Sequence, residues 1–218
     1  MLELPLFPLN TVLFPGMPLN LHIFEEHYKL MVNTCMENRQ PFVVLLTTDH
    51  DVVGNDHSEP HRIGCTAQII QMQPLSRGCM DIATVGQERV RIISFHYNKP
   101  YLTGTVVPFP LRDSDDEAVE HRASYLRDQI ETYLGILQKA AQVQFDMSPL
   151  RGTHLALAYL GAALLKISPI QKQRLLAANN TSIMIDELRT IYQREIVLMN
   201  LILSLPENIN PAEPFSPN

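Results

Sequence analysis

LPLFPLNTVLFPGMPLNLHIFEEHY, residues 4–28, is the stretch on which the reading of this chain turns. It sets four prolines and one glycine among apolar residues, so neither a long helix nor a plain alternating central strand fits it. A short strand, a turn and a second strand do. Phe14-Pro15-Gly16-Met17-Pro18 supplies the turn, because proline presets φ, Gly16 accepts positive φ and Pro18 keeps Met17 extended. Asn20 to Ile23 then alternates, and at Glu25 the period lengthens from two residues to between three and four. Phe24, Tyr28, Met31, Val32 and Cys35 fall on one face of the helix this predicts.

Asn38-Arg39-Gln40-Pro41 stops that helix, and Phe42 to Leu46 is an unbroken apolar run of strand length, as a strand covered on both faces requires. A polar loop follows from Asp49 to His61. Four strand-like segments come next: Ile63 to Met72, whose alternation slips at Ile70; Met80 to Val85, after the Ser76-Arg77-Gly78 turn; Arg89 to Phe95; and Tyr101 to Val107. Short consecutive strands joined by tight turns indicate an antiparallel, closed or nearly closed sheet. Pro108-Phe109-Pro110 ends it, giving a sheet domain over 1–110. Helix formers then dominate over 111–205. Starts are expected at the Ser114–Glu117 capping box, at Ser148-Pro149, at the Ser168–Gln171 capping box and after Asn179-Asn180-Thr181-Ser182, which closes the third helix, with Gly135 a weak point in the first. The last helix carries Leu188, Ile191, Tyr192, Val197, Leu198, Leu201, Ile202 and Leu205 around much of its circumference, so burial is expected for it. Residues 206–218 read as a flexible tail.

At 218 residues, 45% apolar and 18% charged, the chain can bury a real core. Its net charge of −6 provides no field for a phosphate backbone, so nucleic acid is not the expected partner. Cys35, Cys65 and Cys79 are odd in number and far apart, against a disulfide framework or zinc knuckle. With no basic, apolar leader and no run of bilayer length, no membrane is expected and a cytoplasmic location is.

PLFPLN, VLFPG, PL and IFE..Y, in that order within residues 5–28, resemble the opening of the Lon-protease N-terminal (LON substrate-binding) domain in its stand-alone bacterial form. Arg62 to Ala67 resembles the family's "vGT.A.I" strand, with Cys65 where threonine is usual. Val85 to Ile92 resembles its "G..RFRI" segment, with Val90 in place of phenylalanine. Leu155 to Leu165, Gln171 to Leu176 and Asp186 to Leu188 resemble its helical continuation more loosely. The resemblance implies an α+β fold: an N-terminal antiparallel PUA-like β pseudobarrel with one inserted helix, then a C-terminal bundle of four helices. It also implies a binding module for unfolded or damaged polypeptide, acting alone or as adaptor to a separate protease.

Chemistry beyond binding finds little footing. Full-length Lon proteases add an ATPase and a serine-lysine protease domain, whereas this sequence has no GxxxxGK[ST], GxSxG or HExxH. No catalytic residue and no cofactor are therefore expected. His50, Asp51, Asp56, His57, Glu59 and His61 are metal-ligand types, but Pro60 breaks the spacing that would preorganise His57 and His61, so no metal site is assigned. The remaining histidines have no evident chemical role. Glu25 is expected to pair with Arg89 or Arg91 and pin the helix to the barrel, so that Glu25→Ala would lower stability without abolishing binding. Met17, Met72, Met80, Phe95, Tyr97 and Tyr101 are the expected wall of a polypeptide groove, since thioethers and aromatics repack around varied segments, and an open strand edge would add main-chain bonds. RNA binding, suggested by other PUA-like proteins, is the alternative, opposed by the acidic balance. A peptide hydrolase is the third possibility, opposed by the missing motifs.

Overall fold

The computed structural model describes residues 1–47, 60–112 and 117–204. Their elements run β1 (Leu2–Leu9), β2 (Pro18–Ile23), α1 (Glu26–Asn38), β3 (Phe42–Leu46), β4 (Ile63–Pro74), β5 (Met80–His96), β6 (Thr103–Pro108), α2 (Glu117–Ala141), α3 (His154–Leu164), α4 (Pro169–Leu176) and α5 (Thr181–Ser204). This is the α+β order read from the sequence. Strand pairing runs β5–β4–β3–β1–β6 and returns from β6 to β5, a ring of five strands, with β2 attached outside it on the first half of β5.

The ring is antiparallel except at β1 and β3, which run parallel because the chain between them travels through β2 and α1 and comes back to the same end. Two prolines sit in β1, Pro5 and Pro8. The strand tolerates them because it pairs on one side at a time, residues 2–5 with β6 and residues 6–9 with β3, leaving a side where a missing N–H costs no ladder bond. All of β3 is buried, as its continuous apolar run requires.

Met80–Val85 and Arg89–Phe95 are not separate strands. They are one strand of 17 residues that gives up β2 as a neighbour and takes β6 instead, pivoting near Gly86. The opening turn docks on that pivot: Gly16 N–H donates to the Gly86 carbonyl (2.8 Å) and Gly86 N–H to the Met17 carbonyl (2.9 Å). Gly16 takes φ +79°, the left-handed region expected of it. A glycine is needed at 86 for another reason: a Cβ there would collide with the Phe14 carbonyl oxygen and lie 3.1 Å from both Cys65 Sγ and Leu13 Cγ.

Three register shifts bend the long strands. Gln87 and Glu88 oppose Thr66 alone, and the Thr66 hydroxyl closes the gap by accepting from Glu88 N–H (3.1 Å) and donating to its carbonyl (3.3 Å). Ile70 in β4 and Ile93 in β5 are the extra residues of the other two bulges, and each is turned outward. The slip of alternation at Ile70 in the sequence is this bulge.

The core has three parts. Leu4, Leu6, Val43, Leu45, Val90, Ile92 and Val106 fill the ring. Phe7, Met31, Val32, Cys35, Phe42, Met80 and Ile82 lie among the residues joining α1 to the sheet, where the Phe7 and Tyr28 rings sit 4.1 Å apart. Phe24, expected on the buried face of α1, precedes the helix and stays 61% exposed. The third part is helical, and the opening turn reaches into it: Phe14 is buried among α2–α5, with Met17 and Ile63 packed alongside.

Of the helix starts, that of α4 follows the sequence reading, whereas α5 begins at Thr181, inside the Asn179–Ser182 stretch read as closing the helix before it. Ser168 and Gln171 form a reciprocal capping box on α4, and Asn180 Oδ1 accepts from Ile183 N–H (2.8 Å) at α5. Residues 113–116 of the first expected box lie outside the described residues. Ser148-Pro149 opens only a 3₁₀ turn, Ser148–Arg151; α3 begins after Gly152, capped by Thr153, whose hydroxyl accepts from Ala156 N–H. Gly135 does not interrupt α2. Burial of α5 is half correct: Met184, Ile185, Leu188 and Tyr192 are buried, whereas Val197, Leu198, Leu201, Ile202 and Leu203 are not.

Candidate functional site

β2 ends the strand order and, among the described residues, pairs with β5 alone, leaving its other edge without a strand partner among them. Alternation along β2, β5 and β4 turns Leu19, Leu21, Ile23, Met80 and Ile82 toward α1, and the alternate positions outward. Register aligns the outward residues in two rows across three strands. His22, Asp81 and Gln73 form one row, and Asn20, Ala83 and Gln71 the other. These residues, with Leu21 and Ile82 between them along the strands, line an open groove of about 430 Å³. Ala83 leaves its middle shallowly floored.

His22 Nδ1 lies 2.6 Å from Asp81 Oδ1, each side chain more than half exposed. The His22 ring also stacks on Phe24, centroids 6.1 Å apart, which places an exposed aromatic beside the groove. The Ile70 bulge, one residue from Gln71, carries an apolar side chain outward, 65% exposed. The groove therefore offers three side-chain amides, a histidine–carboxylate pair and nearby apolar groups beside an open strand edge. Amides donate and accept at once, which suits a peptide backbone of any sequence.

The six expected wall residues do not form one surface. Met80 and Tyr101 are buried in the α1-side core, Met17 and Met72 pack partly against it, Phe95 packs against the ring interior with Arg62 over its ring at 5.2 Å, and Tyr97 is 64% exposed. Large flexible side chains on a sheet this small are used for packing, while short polar ones at the alternate positions remain open. The signal for the groove was that alternation, Asn20/His22, Gln71/Gln73 and Asp81/Ala83.

The expected pairing of Glu25 with Arg89 or Arg91 is corrected as well. Glu25 lies 3.5 Å from His27 Nε2. Arg89 is buried on the other side of the sheet, where Nη2 donates to the Ala178 carbonyl (2.6 Å) between α4 and α5 and the guanidinium sits 4.7 Å from the Phe109 ring centre; Arg91 is 4.3 Å from the same ring. Burial holds the Arg89 pKa below its ordinary value, an effect opposed by the neighbouring Tyr159 hydroxyl. Arg89 does pin helix to barrel, but through a main-chain oxygen and the helical half. Gln173 adds a second tie, Nε2 to the Ile63 carbonyl at 2.9 Å.

His96 Nε2 lies 3.0 Å from both Ser94 Oγ and Thr105 Oγ1. Two hydroxyls sharing one ring nitrogen knit β5 to β6; an activated nucleophile needs a third group orienting the base. Burial pushes the Cys35 and Cys65 thiols up to about 12, the opposite of an activated thiolate. Among the described residues no group of three or more His, Cys, Asp or Glu could hold a metal ion; His50, Asp51, Asp56, His57 and Glu59 lie outside them.

The ATP-dependent protease La (LON) substrate-binding domain family matches residues 3–194. The chain belongs to this family. The LON domain is 28% identical over 209 residues to a LON peptidase N-terminal domain and RING finger protein of Schizosaccharomyces pombe, covering 81% of this chain and 42% of that protein. It is 25% identical over 205 residues to Lon protease 2 of Herpetosiphon aurantiacus, covering 92% and 25%. It thus spans less than half the length of these relatives. Among solved structures, the N-terminal domain of the Mycobacterium avium complex Lon protease superposes with a TM-score of 0.70 at 14% identity, over 88% of this chain and 98% of that one. A Lon N-terminal domain protein from Xanthomonas campestris does so at 0.59 and 21%, over 94% and 100%. The matched family region is a substrate-binding rather than a catalytic domain. Among the described residues no helix is long and apolar enough to cross a membrane.

Proposed function

We propose that this chain is a non-catalytic polypeptide-binding module that takes extended segments of unfolded or damaged protein into the β2–β5–β4 groove, alone or as adaptor to a separate protease. The observation that carries this reading is the groove, in which Asn20 on the edge strand and Gln71 and Gln73 two strands further in supply sequence-blind hydrogen bonding across one face of the sheet. An extended segment laid along that edge gains main-chain bonds over the six residues of β2, a span of about 20 Å. Phe24 and Ile70 add apolar contacts for whichever side chains come near them. The lining holds one carboxylate, Asp81, and no lysine or arginine, so it suits a peptide better than a phosphodiester.

The test is fluorescence anisotropy with a labelled, permanently unfolded polypeptide, run beside a labelled single-stranded RNA at two salt concentrations. Saturable polypeptide binding, weakly salt-dependent and reduced roughly tenfold or more by Ala83→Glu at unchanged Tm, is the expected result. Binding that Ala83→Glu leaves intact would move the site elsewhere on the molecule. Salt-sensitive RNA binding without polypeptide binding would replace the reading altogether.

A further inference from the structure

The charge lining the β2–β5–β4 groove is one-sided. Asp81 is the one acid there and His22 the one base, and no lysine or arginine joins them. His22 Nδ1 engages a single carboxylate oxygen, Oδ1; Oδ2 has no hydrogen-bond partner among the described residues. Asp81 is half exposed, and register sets it on the middle strand between His22 and Gln73. The other polar groups within reach are amides: Gln73 beside it in the same row, and Asn20 and Gln71 in the next row, about 7 Å along the strands. Turned oxygen-first, each of these amides accepts, so the groove surrounds one carboxylate with neutral acceptors. Lys29 and Arg77, the cations at the β4–β5 turn, do not neutralise it. Lys29 is bonded to Glu26 at 2.7 Å, and neither lies within ion-pair distance of Asp81.

We propose, resting on the polypeptide-binding reading above, that the groove selects extended segments carrying a lysine or arginine, with Asp81 setting the preference. Complementarity of charge and of donors comes first. An ammonium or guanidinium brings donors and no acceptor, the converse of a carboxylate flanked by amide oxygens. Shape comes second. Ala83 stands two residues from Asp81 on the same face, and its small side chain leaves space along which the apolar stem of a lysine or arginine lies while the charged head reaches Oδ2. Ile70, exposed beside Gln71, offers that stem an apolar surface. The net charge of −6 acts in the same direction at longer range, drawing cationic segments toward the chain. An acidic segment meets the opposite: its carboxylate faces Asp81 with no lysine or arginine in the lining to hold it. Main-chain recognition by the amides remains blind to sequence, and the one carboxylate adds a rule of charge.

The test is fluorescence anisotropy on the full chain with three labelled peptides of about twelve residues, long enough to cross the groove. They are identical and uncharged except at the central residue, which is lysine, glutamine or glutamate. At low salt the lysine peptide is expected to bind roughly threefold to fivefold tighter than the glutamine peptide, and the glutamate peptide more weakly than glutamine by about the same factor, the range of a half-exposed ion pair. Both differences shrink as salt rises to about 0.5 M. Asp81→Asn, which keeps an oxygen for His22, is expected to bring the three within about twofold of one another, and Asp81→Lys to reverse their order. The position is half exposed, so Tm is expected to be unchanged in both variants. Three peptides that bind the wild type alike overturn the proposal; the groove itself is then judged separately, by whether Ala83→Glu weakens the glutamine peptide. A lysine preference that persists in Asp81→Asn overturns it as well, and traces the preference to the net charge of the chain. Binding of none of the three overturns both the charge rule and the groove.

Discussion

Gly86→Ala isolates the contact between the opening turn and the sheet. The added Cβ would strike the Phe14 carbonyl oxygen, a main-chain atom that cannot rotate away, and crowd Leu13 Cγ and Cys65 Sγ, each 3.1 Å distant. Relief requires residues 13–17 to lift, which strains both hydrogen bonds between this turn and Gly86 and disturbs Leu13 in the α1-side core and Phe14 in the helical core. Overpacking of this kind costs about 1–3 kcal/mol, and two weakened hydrogen bonds about 1 kcal/mol each. The loss of unfolded-state freedom on replacing glycine returns about 0.4–1 kcal/mol. The net is a loss of about 2–5 kcal/mol, which in a domain of this size lowers Tm by roughly 4–20 °C. Gly135→Ala is the matched control. Its Cβ meets nothing within 4 Å, and it lies inside α2, so the same substitution is expected to raise stability by about 0.5–1 kcal/mol. Calorimetry with urea titration reads both. If the two variants shift Tm in the same direction, or if Gly86→Ala moves it by less than about 2 °C, docking of the turn on β5 is not the constraint described.

Thr66→Val keeps shape but leaves the Glu88 N–H without its acceptor inside the bulge; a loss of about 1–3 kcal/mol in urea titration and faster amide exchange at Glu88 are expected. Alkaline pH destabilises the fold. Burial holds Cys35 and Cys65 at about 12 against an ordinary 9.0, and Tyr28 at about 12 against 10.0. Each keeps its proton longer folded than unfolded, so its contribution is intact below pH 9 and lost as pH rises through 9–12; Tm measured across that window falls, and a flat profile refutes it. Glu25→Ala, which removes one exposed contact to His27, shifts stability by less than about 0.5 kcal/mol, whereas Arg89→Ala, which frees the Ala178 carbonyl and opens a cavity, costs at least about 2 kcal/mol by the same titration.

What the chain's letters disclosed depended on how far apart the partners lie. The covered strand at 42–46, the capped start at Ser168 and the slip at Ile70 are local patterns with local causes, and each appears in the structure where it was read. Gly86 is different. From sequence it parts two strands; in the fold it continues one, because its purpose is to admit a backbone from 70 residues earlier in the chain. Arg89 was read as an ion-pair partner of Glu25, whereas it bonds the carbonyl of Ala178, 89 residues away, a partner no local pattern announces. The candidate groove is lined by the polar alternates of three strands, which only register brings into rows, whereas Met80 and Tyr101, large side chains of the kind that suggest a groove wall, are buried. Hydrophobicity, lastly, does not distinguish the buried start of α5 from its exposed end, because both are apolar.

The ring closes between the first strand and the last, Leu2–Pro5 against Thr103–Val106. On the ribosome this means that β1 emerges with neither ring partner yet made, and that the barrel cannot shut until β6 has followed it out. At about 5–20 residues per second the interval is roughly 5–20 s. For that time the strands of the ring lack their partners, so, on the function proposed above, the newly made protein would meet the conditions of a client before it could act on one.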